Sequence, residues 1–543
     1  MRSKLELMRL SFCLFVLSIF LAACSPQDEN TTAPIEPSGT LTFIHLNDTY
    51  RIDAVEEGRA GGFGRVVTII RGLQQEGNEV RILHGGDFLF PSLESQLWNG
   101  EQMVEALNFM DDIAPMYVVP GNHELDRRTP EALVNAVRQS RFDWLGDNLS
   151  LVTGEADVDQ SLRTQFVTEF GDKRIGVFAL TLHADHGGND RAYAPIDKDY
   201  LAVAEATIKQ LEAVNVDAIV GLTHLHLSND KEIARLKANH PRFLIIAGGH
   251  EHEPEHQPGT EESAEIVIGA SNARTIWQID VRFPEDDGVP KIVTSMLAVD
   301  DTIATDAEYE ALQTRWRRKL LDTIPFLPAR VGTAAVPLDG RAVKIRNEES
   351  NWGNFIVDQM RSAFGEPSAD FAFVNSGTLR IDDYVAEDVT FEDIGRTFGF
   401  SSYLRHLVLT GNDFKAVIEA GFRGTGPSKG YFPQISGFQL CVDRSRSEGD
   451  RVLQLRVPGE GGWDDIDADK DYLVVAPDYL YRGGDGYDFS KARDVSRPGS
   501  ELKYLVLDAI IRAQAAGETI GEPVSTDQPR IAMLAKGQDR CFE

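Results

Sequence analysis

Short apolar runs alternate with amphipathic segments from residue 41 to about residue 300, and this alternation limits the possible folds more than any other feature of the chain. The runs read TLTFIHL, EVRILH, MYVVP, RIGVFAL, DAIVGLT, RFLIIAG, EIVIGA and TIWQIDV. Between the first two, apolar side chains share one face at helical spacing: Phe63, Val66, Val67, Ile70 and Leu73. Similar helical segments cover residues 101–111, 201–215 and 230–238. Strands that alternate with helices are typical of an α/β domain.

The length of the chain indicates two domains, because 543 residues exceed what one hydrophobic core usually serves. The charged stretch DAEYEALQTRWRRKLLDTI, residues 306–324, has helical character and is followed by Pro325, which cannot continue a helix. We interpret this stretch as a linker helix. The predicted domains are therefore a first, α/β domain at residues 41–305 and a second, α+β domain at residues 325–543.

The first residues carry the pattern of an export signal. A basic start precedes an apolar run, residues 10–23, which is too short to span a membrane comfortably as a permanent helix. The run ends in Leu-Ala-Ala-Cys, which resembles a bacterial lipobox. We therefore expect residues 1–23 to be a lipoprotein signal peptide, Cys24 to carry the lipid, and residues 24–40 to be a polar tether. An ordinary cleaved signal with a chance cysteine is the alternative. Ser25, in place of an aspartate, favours the periplasmic face of the outer membrane.

Charge and cysteine content restrict the partners. The formal net charge of −31 repels polyanions, so we expect no nucleic-acid partner, and no feature of the sequence implies a protein partner.

Of the four cysteines, Cys13 leaves with the signal and Cys24 carries lipid. In an oxidising compartment Cys441 and Cys541 either pair or stay free, since a sequence does not give their separation in space.

Polar side chains that can bind metal ions follow five of the predicted strands. Ligands of open α/β sheets gather outside the carboxyl ends of the strands, so these side chains are expected to converge. Any one of them alone would be a polar residue that caps a glycine turn. Five such positions restricted to Asp, Asn and His indicate a site; in chain order the residues are Asp48, Asp87, Asn122, His123, His224, His250 and His252.

Oxygen ligands mixed with imidazoles suit Mn, Zn, Fe or Mg, and the number of ligands exceeds what one ion needs. We therefore expect two divalent metal ions that share one carboxylate, for which Asp87 is the natural choice, and that act on an in-line displacement at phosphorus. Asp126 follows His123 by three residues, close enough to orient the imidazole and raise its basicity.

The motifs GGD, GNHExD, a TH after a strand and GGHxH, in this order, resemble those of the calcineurin-like metallophosphoesterases. The second domain narrows the resemblance to the 5'-nucleotidase family, over nearly all of residues 41–540. The resemblance implies a four-layer αββα first domain, an α+β substrate-binding second domain, and the catalytic pair His123 and Asp126. It assigns Asp48, Asp87 and His252 to a first ion, and Asp87, Asn122, His224 and His250 to a second. The remaining histidines match no ligand position: His45, His84, His183, His186, His226 and His256.

The second domain supplies the substrate contacts that the resemblance implies. Arg346 and Arg380 match substrate-contacting arginines, whose guanidinium groups suit phosphate oxygens. Phe398 in TFGF and Tyr479 in PDYLY fall where the family holds a nucleobase between two rings. Asp485 matches the family residue that accepts hydrogen bonds from the ribose hydroxyls, and Asn375 matches a residue that contacts the base or the ribose. The continuation SSYLRHLVLTG departs from the family, and we expect base preference to differ there.

The resemblance implies a metal-dependent phosphohydrolase that releases phosphate from nucleoside 5'-monophosphates through a hydroxide activated by two metal ions. Relatives with the same metal ligands act on other phosphoesters, so a UDP-sugar, a nucleoside diphosphate and a 2',3'-cyclic nucleotide are alternative substrates. A nucleotide-binding lipoprotein that has lost catalysis is a third possibility, which Tyr50 motivates.

Tyr50 stands in IHLNDTYRI, residues 44–52, where the family usually has Asp-x-His. A neutral phenol is a poorer ligand than an imidazole, although a metal can bind phenolate. Three outcomes stay open: Tyr50 binds the ion weakly, a water takes its place, or Asp48, Asp87 and His252 hold the ion alone. A branch of the family resembles this chain in Asp-x-Tyr and in LTHxxxxND, seen here as LTHLHLSND.

Overall fold

A computed structural model describes residues 40–183, 191–285, 288–365, 367–424, 429–534, 538 and 540–542. The predicted signal peptide, Cys24 and nearly all of the tether lie outside the described residues, as does His186. Within the described ranges, no helix is both long and apolar enough to cross a membrane.

Twelve strands and seven helices precede the linker helix in the described residues. The strands are β1 Leu41–Leu46, β2 Glu79–His84, β3 Met116–Val118, β4 Asp143–Trp144, β5 Phe166–Phe170, β6 Lys173–Thr181, β7 Ala218–His224, β8 Phe243–Gly248, β9 Glu255–Gln257, β10 Glu265–Ile268, β11 Thr275–Arg282 and β12 Lys291–Ala298. The helices are α1 Phe63–Gln75, α2 Leu93–Trp98, α3 Glu101–Asp111, α4 Glu131–Gln139, α5 Ala156–Asp159, α6 Tyr200–Ala213 and α7 Leu227–Ala234.

These strands form two six-stranded sheets, in the orders β12-β11-β1-β2-β3-β4 and β5-β6-β7-β8-β10-β9. Alternate residues of β1 point to opposite faces, as the period of a strand requires. Phe43 packs in the core between the sheets, whereas Ile44 packs against α1 and α3. A third core lies between the second sheet and α6 and α7. The four-layer αββα arrangement is therefore confirmed.

The linker helix, α8, spans Ala307–Thr323 and begins at Asp306, whose side chain accepts the N–H groups of Glu308 and Tyr309. Tyr309, Leu312 and Trp316 are buried against the first sheet's helical layer. The helix ends before Pro325, as the sequence predicted.

The rest of the chain mixes strands and helices, as expected of an α+β unit. Two four-stranded sheets have the orders β18-β23-β15-β19 and β22-β21-β20-β24. The strands are β13 Arg330–Thr333, β14 Leu338–Asp339, β15 Phe371–Asn375, β16 Tyr384–Val385, β17 Asp388–Thr390, β18 Leu404–Thr410, β19 Pro433–Ser436, β20 Gln439–Val442, β21 Val452–Gly459, β22 Gly462–Asp465, β23 Asp471–Pro477 and β24 Ile531–Met533. The helices are α9 Ala342–Ile345, α10 Asn351–Arg361, α11 Phe391–Thr397, α12 Gly411–Glu419, α13 Asp478–Tyr481 and α14 Leu502–Ala516. A disulfide joins Cys441 in β20 to Cys541, which answers the question that the sequence left open.

Candidate metal centre

The predicted metal ligands converge at the carboxyl ends of the parallel strands. Asp48 follows β1, Asp87 follows β2, His224 ends β7, and His250 and His252 follow β8. All but His224 have positive φ angles: 52° at Asp48, 61° at Asp87, 77° at His250 and 62° at His252. Such angles cost free energy in residues other than glycine and are found mostly where a site requires them.

Glycines allow the loops of the two sheets to approach each other. A Cβ atom on Gly249 would lie 2.3 Å from the carbonyl oxygen of Gly85, so the GGH and GGD loops can meet only without side chains there. In the same way, a Cβ atom on Gly121 would lie 2.2 Å from Oδ1 of Asp87. The glycines thus bring Asp87 and His250, from different sheets, to the same centre.

One half of the centre, the second site, consists of Asp87, Asn122, His224 and His250. Nε2 of His224 lies 3.2 Å from Oδ2 of Asp87 and 3.2 Å from Oδ1 of Asn122. Nδ1 of His250 lies 3.1 Å from the same Asn122 oxygen. His224 donates its Nδ1–H to the carbonyl oxygen of Gly85, which leaves Nε2 free to bind an ion.

The other half, the candidate first site, brings together Asp48, Asp87 and His252, and Tyr50 lies among them. The Tyr50 hydroxyl oxygen lies 3.0 Å from Nε2 of His252, 3.1 Å from Oδ1 of Asp48 and 3.4 Å from Oδ2 of Asp87. Nε2 of His252 is 3.3 Å from Oδ1 of Asp48. The second oxygen of Asp48 accepts the N–H of His250 at 2.8 Å, so it is held by the loop that supplies the other ligands.

These spacings fit metal ligation. Ligands about 2.1 Å from a common ion and at right angles to each other are about 3 Å apart. The donor atoms of both sites are separated by 3.0 to 3.4 Å. Two buried carboxylates also face each other: burial, followed by the charge of Asp87, raises the pKa of Asp48. Bound cations would relieve this repulsion, so the donor set suits the ions that the sequence predicted.

His123 and Asp126 form the predicted pair. Nδ1 of His123 lies 2.9 Å from Oδ2 of Asp126, and the His123 backbone N–H donates to Oδ1 of Asp87 at 2.7 Å. Burial opposes a charged imidazole, but the carboxylates of Asp126 and Asp87 outweigh it and raise the pKa of His123. The pair therefore stands directly beside the shared carboxylate of the centre.

Glu124 holds two of the loops together, a role that the sequence reasoning missed. Its buried carboxylate accepts the backbone N–H groups of Asp87, Phe88, Leu89 and Gly121 at 2.6 to 2.9 Å. Burial, followed by the charge of Asp87, raises the pKa of Glu124. An acid placed among glycine turns in PGNHELD was the signal that could have predicted this role.

Two arginines of the C-terminal region, Arg346 and Arg380, have the properties of an anion-binding site. Nη2 of Arg380 lies 3.0 Å from Nε2 of His123, and the arginine stands over the Tyr50 ring at 5.4 Å. Among the described residues, Nε and Nη1 of Arg380 and Nε of Arg346 are buried with no hydrogen-bond partner. Burial, followed by the charge of Arg380, lowers the pKa of Arg346 to about 10. Unpaired buried donors that repel each other favour a bound anion such as phosphate.

Three of the residues predicted to contact the nucleoside lie together. The carboxylate of Asp485 accepts Nδ2–H of Asn375 at 2.8 Å and the Tyr479 hydroxyl at 2.9 Å. The Tyr479 side chain is 37 % exposed, so one face of its ring is open. This cluster therefore has both an acceptor for hydroxyl groups and an aromatic surface.

Phe398, which the resemblance places against the nucleobase, is buried in this structure. Phe398 directly follows α11 and is 3 % exposed, packed in a core that includes Trp352, so it offers no free face to a base. Phe400, two residues further on, lies at the site instead. The Phe400 ring lies 5.7 Å from the ring of His123 and 5.1 Å from the Arg380 guanidinium. Phe400 is thus an aromatic residue of the site that the sequence reasoning did not identify.

Of the histidines without a predicted role, five lie within the described residues: His45, His84, His183, His226 and His256. His45 lies between the carbonyl oxygens of Leu83 and Gly248, and burial lowers its pKa to about 4. His84 bonds to the Thr49 hydroxyl, and burial lowers its pKa to about 3. His256 pairs with Glu265 at 2.9 Å. The backbone N–H of His183 donates to the Tyr200 hydroxyl oxygen at 2.9 Å. The centroid of the His226 ring lies 4.5 Å from that of the His250 ring.

Comparison with known proteins agrees with this geometry. Residues 41–254 match the calcineurin-like phosphoesterase family, and residues 330–492 match the 5'-nucleotidase C-terminal domain. A 5'-nucleotidase of Rattus norvegicus is 25 % identical over 503 residues, which cover 84 % of this chain and 85 % of the relative. A trifunctional nucleotide phosphoesterase of Bacillus subtilis is 25 % identical over 520 residues, which cover 88 % of this chain but only 34 % of that longer protein.

The fold comparison gives the same result. The crystal structure of a 5'-nucleotidase precursor from Thermus thermophilus has a TM-score of 0.76 and 22 % identity, and the match covers 92 % of this chain and all of that one. The two family matches agree with the order of the described strands and with the loops at their carboxyl ends. The chain is therefore a phosphoester hydrolase that carries a calcineurin-like phosphoesterase domain followed by a 5'-nucleotidase C-terminal domain.

Proposed function

We propose that the protein releases inorganic phosphate from nucleoside 5'-monophosphates with two divalent metal ions. The observation that carries the proposal is the contact of Arg380, in the C-terminal domain, with His123, in the phosphoesterase domain. A phosphate at this point would meet the metal ligands on one side and two arginines on the other. Asn375, Tyr479 and Asp485 of the same C-terminal domain provide a surface for the nucleoside.

Each residue then has a defined task. Arg380 and Arg346 bind the phosphate oxygens through the guanidinium N–H groups that have no partner among the described residues. His123, oriented by Asp126, faces an N–H of Arg380 at Nε2 in this structure. When phosphate takes that N–H, Nε2 is free to carry a proton that stabilises charge on phosphate or protonates the leaving ribose oxygen. Asp485 accepts ribose hydroxyls, and Tyr479 stacks on the base. The metal ions, when bound, would supply a water of lowered pKa and neutralise charge on phosphorus oxygens.

The test is phosphate release with Mn²⁺ from AMP, UDP-glucose, ADP and 2',3'-cyclic AMP, each with and without EDTA. The proposal expects the highest kcat/KM for AMP, with loss of release in EDTA and in the His123→Ala variant. A preference for one of the other compounds would contradict the proposed substrate. The relative with three phosphoesterase functions makes this comparison necessary. AMP binding without release under any metal would instead support a binding protein that has lost catalysis.

We also propose that the protein is exported and anchored by lipid on Cys24. The lipobox-like pattern of residues 10–24 supports this, and the disulfide between Cys441 and Cys541 supports an oxidising compartment. In a Gram-negative host, wild type should incorporate labelled palmitate and fractionate with membranes. The Cys24→Ser variant should do neither, and equal labelling of both forms would contradict the anchor.

A further inference from the structure

Tyr50 is the one residue of the centre whose chemistry differs from that of the other predicted ligands. Its hydroxyl oxygen is buried and lies 3.0 to 3.4 Å from donor atoms of His252, Asp48 and Asp87. These separations match the 3.1 to 3.2 Å between ligand atoms of the second site. The hydroxyl therefore stands where a fourth ligand of the first ion would stand.

The position of the hydroxyl is fixed from several sides. The Tyr50 backbone N–H donates to Oδ1 of Asn272 at 3.0 Å, which holds the loop that follows β1. The ring stacks on that of His252, with centroids 5.4 Å apart and an angle of 28° between the planes. The Arg380 guanidinium covers the ring at 5.4 Å from its centroid. A side chain packed in this way cannot readily turn its oxygen away from the centre.

A tyrosine oxygen changes the donor set of the first site. The second site has two imidazoles, one carboxylate and one amide oxygen. The first site has two carboxylates, one phenol oxygen and only one imidazole. Oxygen-rich sites suit hard ions such as Mn²⁺ or iron, whereas imidazole-rich sites also suit Zn²⁺. The two sites are thus chemically unequal.

We propose that the Tyr50 oxygen is a ligand of the first metal ion and shifts the preference of that site toward manganese or iron, relative to a site with histidine at the same position. This inference rests on the proposed two-metal centre. It explains how a tyrosine can stand among metal ligands without loss of the site, because the oxygen replaces a ligand rather than blocks one. It also predicts that this chain differs in metal preference from a protein with histidine at the same position.

Metal content tests the proposal independently of activity. Wild type, Tyr50→Phe and Tyr50→His are stripped of metal, incubated with equal excess of Mn²⁺ and Zn²⁺, desalted and analysed by elemental mass spectrometry. We expect wild type to bind two ions per chain and Tyr50→Phe to bind one. Tyr50→His should bind two ions with a lower manganese-to-zinc ratio than wild type. The matched control is Tyr117→Phe, since Tyr117 is also buried and its hydroxyl contacts Thr168 at 2.8 Å, away from the centre.

Optical spectroscopy identifies the ligand directly. Wild type loaded with ferric iron should show a visible phenolate-to-iron absorption band, which Tyr50→Phe lacks and Tyr117→Phe keeps. The proposal would be overturned if Tyr50→Phe kept two ions with an unchanged manganese-to-zinc ratio and wild type showed no visible band. Circular dichroism confirms that each variant is folded. Phosphate release is assayed separately. If the metal content and the visible band are as expected but no phosphate is released, the proposed function is contradicted and the assignment of Tyr50 as a ligand is still supported.

Discussion

Nη2 of Arg380 lies 3.0 Å from Nε2 of His123, although 257 residues separate the two in the chain. The contact joins the 5'-nucleotidase C-terminal domain to the phosphoesterase domain at the metal centre. It places a cation beside the imidazole that is proposed to handle the leaving group. The proposed reaction therefore requires both domains, and no single domain contains the whole site.

The Arg380→Ala variant tests this contact. Loss of charged hydrogen bonds to phosphate should lower kcat/KM for AMP about 100-fold, in keeping with about 3 kcal/mol for such bonds. Arg380→Lys should recover only part of the loss, because an ammonium group lacks the planar fork of donors. Arg512→Ala, which removes an exposed arginine of α14, is the control and should match wild type. Wild-type kcat/KM in Arg380→Ala would show that the arginine does not bind the phosphate.

Phe398 and Phe400 form a matched pair, two residues apart, with different roles. Phe398→Ala should leave a cavity in the core and lower the free energy of unfolding by about 3 to 5 kcal/mol. Phe400→Ala should leave the melting temperature nearly unchanged but raise KM for AMP, because the Phe400 ring packs on Arg380 and His123. Thermal unfolding and steady-state kinetics of both variants check the assignment. The reverse pattern would restore Phe398 as the substrate contact.

The fold could be predicted from the sequence because it follows from local patterns. Apolar runs predicted β1, β2, β7 and β8, and the rule that ligands gather at the carboxyl ends of strands predicted that Asp87 and His250 lie near each other. The pattern could not show which of two nearby aromatic residues, Phe398 and Phe400, is buried, since that depends on how the segment after α11 packs against the rest of the domain. The pattern does show an acid among glycine turns at Glu124, but not which backbone groups, more than thirty residues away, donate to it. Such contacts depend on how loops meet in space.

Glu124→Gln should weaken the metal centre without touching a predicted ligand. The carboxylate accepts four backbone N–H groups, whereas a glutamine has one acceptor oxygen and turns an NH₂ group toward the remaining donors. We expect a stability loss of about 3 kcal/mol and fewer ions bound per chain. Glu131→Gln, at the exposed start of α4, is the control. Elemental analysis and thermal unfolding measure both effects, and wild-type values in Glu124→Gln would contradict the role.

Asp147 should make stability depend on pH in mildly acidic solution. Burial raises its pKa to about 6, although the N–H groups of Gln165 and Ala179, which donate to it at 2.8 and 2.7 Å, oppose this shift. Unfolded aspartate has a pKa of about 4. Between about pH 4 and pH 6 the unfolded chain loses this proton while the folded chain keeps it, so stability falls as pH rises, by up to about 3 kcal/mol.

The Asp147→Asn variant isolates this effect because an amide does not ionise. The melting temperature of wild type minus that of Asp147→Asn should fall between about pH 4 and pH 7. Asp172→Asn, which replaces an exposed aspartate, is the control and should show a constant difference from wild type. A constant difference for Asp147→Asn as well would mean that its pKa is not raised.

Turnover should require the two domains to separate, since Arg380 and Arg346 cover the metal centre from the C-terminal side. Glu56 of the phosphoesterase domain and Arg341 of the C-terminal domain are partners whose side chains lie 3.8 Å apart near this boundary. A Glu56→Cys, Arg341→Cys double variant, joined by a short bismaleimide, should lose phosphate release. The same reagent applied to Arg138→Cys with Glu155→Cys, a pair within the phosphoesterase domain, should leave release intact. Full turnover in verified crosslinked Glu56–Arg341 protein would mean that substrate enters and product leaves without domain movement.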